Sequence, residues 1–343
     1  MSVSRPKFLA AVPACDPAAV RVLVLMGGDS AEREVSLMSG REVARALGQA
    51  GFPVTPLDLR PADVDRLAEL DFDVAFIALH GRFGEDGSLQ RRLDEMGLLY
   101  VGCGPEAGRR AMDKVAAKEL FVAAGVPTPP WQVVAADDQA AAQQAYETLG
   151  PAVVVKPIDE GSSIAVTLAD DRQTYTKGLD EVFATRRVAL VERRIFGREL
   201  TVGVLHTEGL PVVEIVPQEE FYNYQAKYFD DRTEYVVNPA LPPGVEQQVR
   251  RIAAAAHGAL GCRDFSRVDL LLDRAGGPFV LEVNTIPGFT THSLLPKSAA
   301  AAGIDFPALC RYIVELALWR RPGSLRRGRA RPGPGRAGRA RRS

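Results

Sequence analysis

The stretch RVDLLLDRAGGPFVLEVN, residues 267–284, reads as two apolar-rich strands joined across Arg274-Ala275-Gly276-Gly277. A hairpin centred between Ala275 and Gly276 sets Asp269 opposite Glu282 and Arg267 opposite Asn284. Residues two apart share a strand face, so the four polar side chains emerge together in adjacent pairs. Two carboxylates opposed across a hairpin repel each other. A divalent cation relieves that repulsion, and carboxylate plus amide oxygens suit Mg²⁺. A solvated sheet face with surface ion pairs is the alternative. The intervening Val268, Leu270, Leu271, Leu281 and Val283 describe a buried setting and favour the metal.

Mg²⁺ held by few protein carboxylates completes its shell with phosphates and water. The chain should therefore carry phosphate-binding groups elsewhere. Lys156, at the end of VVVKP (153–157), precedes a small-residue loop, Glu160-Gly161-Ser162-Ser163. A lysine point charge beside a loop rich in free N–H groups fits a triphosphate, although a solvated turn has the same local look. Neither GxxxxGK[ST] nor GxGxxG occurs. Glu192 and Glu199 bracket a strand–turn segment and fit either a ribose or water.

Further out, RVLVLM (21–26), the turn Gly27-Gly28-Asp29-Ser30 and a helical pattern through Ala46 open a parallel α/β unit. Strands follow at 52–59 and at DVAFIAL (73–79), which runs into the glycine-dense loop 80–87 at a strand's C-terminal end, where open α/β sheets bind ligands. A single helical stretch is expected over 106–124, with Gly125 and Pro127 as its stop. Strands are expected at 164–168, 188–194 and 199–205, and a helix over 244–260.

The composition is globular: 343 residues, 46% apolar and 25% charged. No apolar run reaches the roughly 18–20 residues that cross a bilayer. The net charge of -1 hides an asymmetry, because residues 320–343 hold ten Arg and no acid. Residues 1–319 then carry 32 basic against 43 acidic residues, a poor match for nucleic acid. Cys15, Cys103, Cys262 and Cys310 form no CxxC pair and read as reduced thiols of a cytoplasmic protein. Residues 1–19 read as a disordered extension and 320–343 as a disordered Arg-rich tail that cannot build a core.

Taken in order, GGDSAEREVS (27–36), IALHGRFGEDGSLQ (77–90), MDK (112–114), VKP with EGSS (155–163), YNYQAKY (222–228), RVDLLLD (267–273) and EVNTIPGFTTHSLLP (282–296) resemble the D-alanine–D-alanine ligase family over about residues 20–319. The resemblance implies an ATP-grasp fold: an N-terminal Rossmann-like parallel α/β domain (20–113) and two α+β subdomains (114–191 and 192–319) clamping ATP. It implies ligation of two D-alanine molecules, driven by ATP, for cell-wall precursors, with two Mg²⁺ or Mn²⁺ ions, in a cytoplasmic homodimer. It matches Asp269, Glu282 and Asn284 to the metal ligands and Lys114 and Lys156 to the phosphate lysines. Glu192 and the backbone through Ile195 match the adenine segment, and Glu199 the ribose acid. Glu32 matches the residue that binds the first substrate's ammonium, with His80 in the same subsite. Arg267 and the Gly288 N–H match the oxyanion-stabilising pair, and Ser293 and Leu294 the holders of the second carboxylate. Lys227 and Tyr228 fall in the loop over the site, where Ser162 and Tyr228 join Glu32 in closing it.

Two positions depart from the family pattern. Asp29 replaces Thr, Lys or Arg in a turn, and Ala165 replaces a Gly whose φ would be positive. The alternatives are a D-lactate- or D-serine-adding relative and a silent nucleotide-binding module of the same fold.

Overall fold

The computed structural model describes residues 5–161, 164–216 and 233–320. Strand β1 (Val22–Gly27) is buried along its whole length and pairs in parallel with β2 (Val54–Leu59) and β3 (Val74–Ile77), in the order β2-β1-β3. An unbroken apolar run is what a strand covered on both faces requires. Helix α1 (Arg33–Gln49) packs on this sheet through Val43, Ala46 and Leu47. Ser36 Oγ of α1 donates to the Ala78 carbonyl at 2.7 Å, tying the helix start to the strand that feeds the His80 loop.

Helix α2 (Ser88–Glu95) leads to α3 (Pro105–Met112) and α4 (Lys114–Ala123). The single helix expected over 106–124 is two. Asp113 is extended, at ψ 100°, and its carboxylate accepts from the N–H groups of Val115 and Ala116 at 3.1 Å. A side chain that caps a new first turn competes with continuing the old helix.

Strands β4 (Trp131–Ala135), β5 (Val153–Pro157), β6 (Thr167–Ala169) and β7 (Val188–Arg193) form an antiparallel sheet in the order β4-β7-β5-β6. Helices α5 (Gln139–Leu149) and α6 (Arg172–Phe183) pack on it. The third sheet holds β8 (Gly197–Leu205), β9 (Glu208–Val216), β10 (Glu234–Val237), β11 (Phe265–Asp273) and β12 (Pro278–Asn284), in the order β10-β9-β8-β11-β12. Helix α7 (Val245–Ala259) and the Ala117–Phe121 side of α4 share its core.

The hairpin pairs Arg267 with Asn284 and Asp269 with Glu282, as the spacing requires. The turn itself differs from the symmetric one expected. Near it Leu270 faces Val280 and Leu272 faces Pro278, so a bulge beside Asp269 absorbs one residue of β12. Bulges of this kind re-aim side chains next to functional sites.

Helices α8 (Leu294–Ala301) and α9 (Phe306–Trp319) return to the N-terminal sheet. Phe289 stands edge-on to Phe76 of β3 and Phe265 of β11, with centroids 5.4 and 5.1 Å apart. This aromatic cluster puts the first sheet and the end of the chain into one core. Among the described residues no helix is long and apolar enough to cross a membrane.

The expected disorder at both termini needs correcting where residues are described. Residues 5–19 lie on α9. The Arg5 guanidinium donates to the buried Glu315 carboxylate at 2.6 Å and to the Leu9 and Val12 carbonyls at 3.0 and 2.7 Å. Leu9 and Val12 join the main core. The partners are some 300 residues apart, beyond any local sequence signal. Arg320 also belongs to the body, since its guanidinium donates to both oxygens of buried Asp264 at 2.9 and 2.7 Å. The rest of the tail, 321–343, lies outside the described residues.

Leu9 is fully buried, so Leu9→Ala leaves a cavity and should lower the unfolding free energy by ~2–4 kcal/mol. Urea unfolding followed by circular dichroism checks this; an unchanged midpoint would mean that the segment is not docked.

Candidate active site

One cavity of about 1100 Å³ lies where the three sheets meet. The N-terminal sheet lines it with Glu32 and His80, α4 with Lys114, and β11 and β12 with Arg267, Glu282 and Asn284. The loop after β12 and the start of α8 add Gly288, Ser293 and Leu294. These nine residues, scattered over most of the chain, are brought together as expected.

Glu32 sits where α1 begins, on the C-terminal edge of the parallel sheet. Gly81, at φ 75°, packs so closely against it that a Cβ would strike its carboxylate. His80 is buried between Ser39 Oγ, 3.0 Å from Nε2, and the Ile286 carbonyl, 3.0 Å from Nδ1. A carbonyl only accepts, so Nδ1 carries a proton and the ring is held in one orientation. Glu85 Oε1 lies 3.4 Å from the same nitrogen. Burial pushes the Glu85 carboxyl above the ordinary range, against the opposing pull of His80.

Arg267 and Asp269 form the rigid element of the wall. Arg267 donates from Nε and Nη2 to the two Asp269 oxygens at 2.9 and 2.7 Å, a planar bidentate pair. Thr201 Oγ1 of β8 and Asn284 Nδ2 also donate to Asp269, at 2.6 and 3.0 Å. Asp269 is thereby buried just behind the cavity surface, whereas Glu282 and Asn284 stand on it. Lys114 Nζ, bonded to the Glu160 carbonyl, lies 4.0 Å from Glu282 Oε2.

The donor set suits a hard divalent ion: two carboxylates and an amide on one sheet face, beside a lysine that fits phosphate. Among the described residues no group of three or more His, Cys, Asp or Glu is placed to hold an ion. Two carboxylates can anchor one only if phosphate and water complete the shell.

One end of the cavity is built at α8. Ser293 precedes the helix and its Oγ accepts from Thr290 N–H at 3.0 Å. A Cβ on Gly288 would come within 2.8 Å of that Oγ, so only glycine leaves this approach open. The N–H groups of Leu294 and Leu295 precede the first intrahelical bond and favour an anion there.

Lys156, Glu192, Ile195 and Glu199 do not line this cavity. Lys156 and Glu192 pair one layer back, at 2.9 Å, on the neighbouring strands β5 and β7. Ile195 lies half-buried between β7 and β8, and Glu199 on β8 opposite Leu271. Ser162, Lys227 and Tyr228 lie outside the described residues. Ala165 does adopt the positive φ, 53°, that its replacement of glycine makes costly.

Sequence reasoning missed Glu85, Arg186, Lys297 and Lys118. Glu85 lies within the glycine-dense loop 80–87, and Lys118 is four residues beyond Lys114, hence on the same helix face. Arg186, bonded to Asp159 at 2.9 Å, and Lys297, over the Tyr235 ring at 4.3 Å, gave no local signal. Both line the cavity.

Comparisons with known proteins agree with this geometry. The models for the D-ala D-ala ligase N-terminus and C-terminus match residues 62–103 and 120–315. A D-alanine–D-alanine ligase of Citrifermentans bemidjiense is 44% identical over 298 residues, covering 87% of this chain and 96% of its own. The crystal structure of the Bacillus anthracis D-alanine–D-alanine ligase complexed with ATP superposes with a TM-score of 0.76 at 35% identity, over 88% of this chain and 97% of that one. The VanG D-Ala:D-Ser ligase of Enterococcus faecalis gives 0.77 at 26% identity, over 87% and 99%. With the hairpin, the cavity and both halves of the fold in agreement, the chain belongs to the D-alanine–D-alanine ligase family.

Proposed function

We propose that this cavity joins two D-alanine molecules to D-alanyl-D-alanine at the expense of ATP, a step of cell-wall precursor synthesis. The observation that carries the assignment is Arg267, gripped by Asp269 and standing on the same wall as Glu282, Asn284 and Gly288.

A carboxylate acylates poorly because its leaving group would be oxide. ATP removes that obstacle. One carboxylate oxygen of the first D-alanine attacks the γ-phosphorus, ADP leaves, and an acyl phosphate results. Glu32 pairs with the substrate's ammonium, beside His80 in its fixed orientation. Lys114, Lys156 and Arg267 offset the charge that gathers on the transferring phosphoryl group. Asp269, Glu282 and Asn284 would hold two Mg²⁺ or Mn²⁺ ions. When bound, such ions neutralise phosphate oxygens and align them for transfer. Glu192, Ile195 and Glu199 serve the adenine and ribose.

The amine of the second D-alanine then attacks the acyl carbon. Arg267 and the Gly288 N–H stabilise the oxyanion, which collapses as the carbon–oxygen bond to phosphate breaks and the amine loses a proton. Ser293 and the N-terminus of α8 receive the second carboxylate. Water must be kept out, or the acyl phosphate hydrolyses. Lys227, Tyr228 and Ser162 belong to that closure. The need for ATP sets the reaction in the cytoplasm, and the family resemblance carries a homodimer, which sedimentation tests.

D-alanine is the preferred acceptor over D-serine or D-lactate, because relatives 39–44% identical over most of the chain carry the dipeptide name. With the three acceptors supplied equally beside ATP, mass spectrometry should find mainly D-Ala–D-Ala, with ADP and phosphate. A mixed product dominated by D-serine or D-lactate would overturn the substrate assignment, and no ATP-dependent product the activity itself.

Lysine cannot reproduce the two-pronged contact of Arg267 with Asp269. Arg267→Lys should cut kcat by about 10²-fold or more while leaving the KM for D-alanine within about threefold. A kcat near wild type would remove Arg267 from the chemistry.

A further inference from the structure

Lys118 is fully buried on α4, one helical turn beyond Lys114. Its ammonium donates to Thr128 Oγ1 at 2.6 Å and to the Pro129 carbonyl at 3.3 Å, and it stands 2.9 Å from Glu192 Oε1 as an ion pair. Thr128 Oγ1 donates onward to the Val280 carbonyl of β12 at 2.8 Å, and the Trp131 ring lies 5.4 Å from the ammonium. Lys156 Nζ stands 2.9 Å from the same Glu192 oxygen as a second ion pair. One carboxylate oxygen is thus shared by two lysines, one sealed in the core and one on the strand that feeds the Glu160–Gly161 loop at the cavity.

A charge at the Lys118 position is costly. Burial pushes its pKa down to about 8, despite the attraction of Glu192. A methionine would fill the same space without that cost. The charge therefore has an electrostatic task. Burial alone would raise the Glu192 pKa, yet the two ammonium groups outweigh it and hold the carboxyl below its usual range, so it stays ionised. An ionised Glu192 facing Lys156 alone would neutralise it and draw it away from phosphate. A second lysine at the same oxygen offsets that pull by its own repulsion of Lys156.

We infer that Lys118 is a positioning residue for nucleotide binding: by sharing Glu192 it leaves Lys156 with net positive charge to spend on the ATP phosphates. This rests on the assignment of Lys156 to the phosphates. Lys118 touches neither nucleotide nor substrate in this scheme and acts only through Glu192.

The test compares adenosine with ADP, because their ratio of dissociation constants isolates the phosphate contribution. Binding is measured by calorimetry, or by competition where affinity is weak, on the full chain with Mg²⁺. In Lys118→Met the ADP advantage over adenosine should fall by about three- to tenfold, while the dissociation constant of adenosine stays within twofold. In a Glu192→Gln background, adding Lys118→Met should change the ADP advantage no further, since no carboxylate remains to be shared. Lys118→Gln, which keeps a donor toward Thr128, serves if Lys118→Met does not fold. Equal losses for adenosine and ADP, an unchanged ADP advantage, or additive effects in the double variant would each overturn the inference. Lys156→Met is the control for the underlying assignment. If it leaves the ADP advantage intact, that assignment fails and the inference with it. If it lowers the advantage and the Lys118 variants do not, only the inference fails.

Discussion

Asp269 and Glu282 face each other across β11 and β12, and much of the site exists to manage that opposition. Two carboxylates side by side, one on the cavity wall and one just behind it, are unfavourable unless cations meet them. Arg267 supplies a full charge to Asp269 through a bidentate contact, and Lys114 stands 4.0 Å from Glu282. The polyanionic nucleotide must then approach a wall that already carries acid. Divalent ions, which Asp269, Glu282 and Asn284 would hold, would resolve both repulsions at once. The parallel sheet supplies Glu32 and His80 opposite this wall, and the Phe76–Phe265–Phe289 cluster holds the two sides in one core.

Lysine placement extends the same logic inward. Lys114 and Lys118 lie on one face of α4, the first at the cavity and the second sealed behind it. Glu192 lies between Lys118 and Lys156 and keeps two like charges from repelling at close range. Three lysines and one glutamate leave net positive charge at and behind this part of the cavity wall. The low dielectric of the core makes that balance count for more than it would at the surface.

The pairing of Asp269 with Glu282 was legible in the sequence because strand period and a glycine turn are local signals. The bulge beside Asp269 was not, since it depends on how β12 also meets the rest of its sheet. Motif order was enough to gather nine cavity residues from distant segments. The break at Asp113 escaped because its carboxylate caps α4, a choice that helical periodicity does not register. Arg5 and Leu9 looked like part of a loose extension because Glu315, their anchor, is far along the chain. Lys118 was hidden for the opposite reason: a lysine on a helix is ordinarily solvated, and only tertiary structure reveals that this one is buried.

In the proposed reaction this wall serves transfer of phosphoryl to a carboxylate before the amide bond forms. D-alanine labelled with ¹⁸O in both carboxyl oxygens tests it most directly, with phosphate and nucleotide products weighed by mass spectrometry. An acyl phosphate made from the γ-phosphoryl group requires one labelled oxygen in each inorganic phosphate released and none in the nucleotide. Unlabelled phosphate, or label appearing in AMP, would rule out an acyl phosphate made from the γ-phosphoryl group.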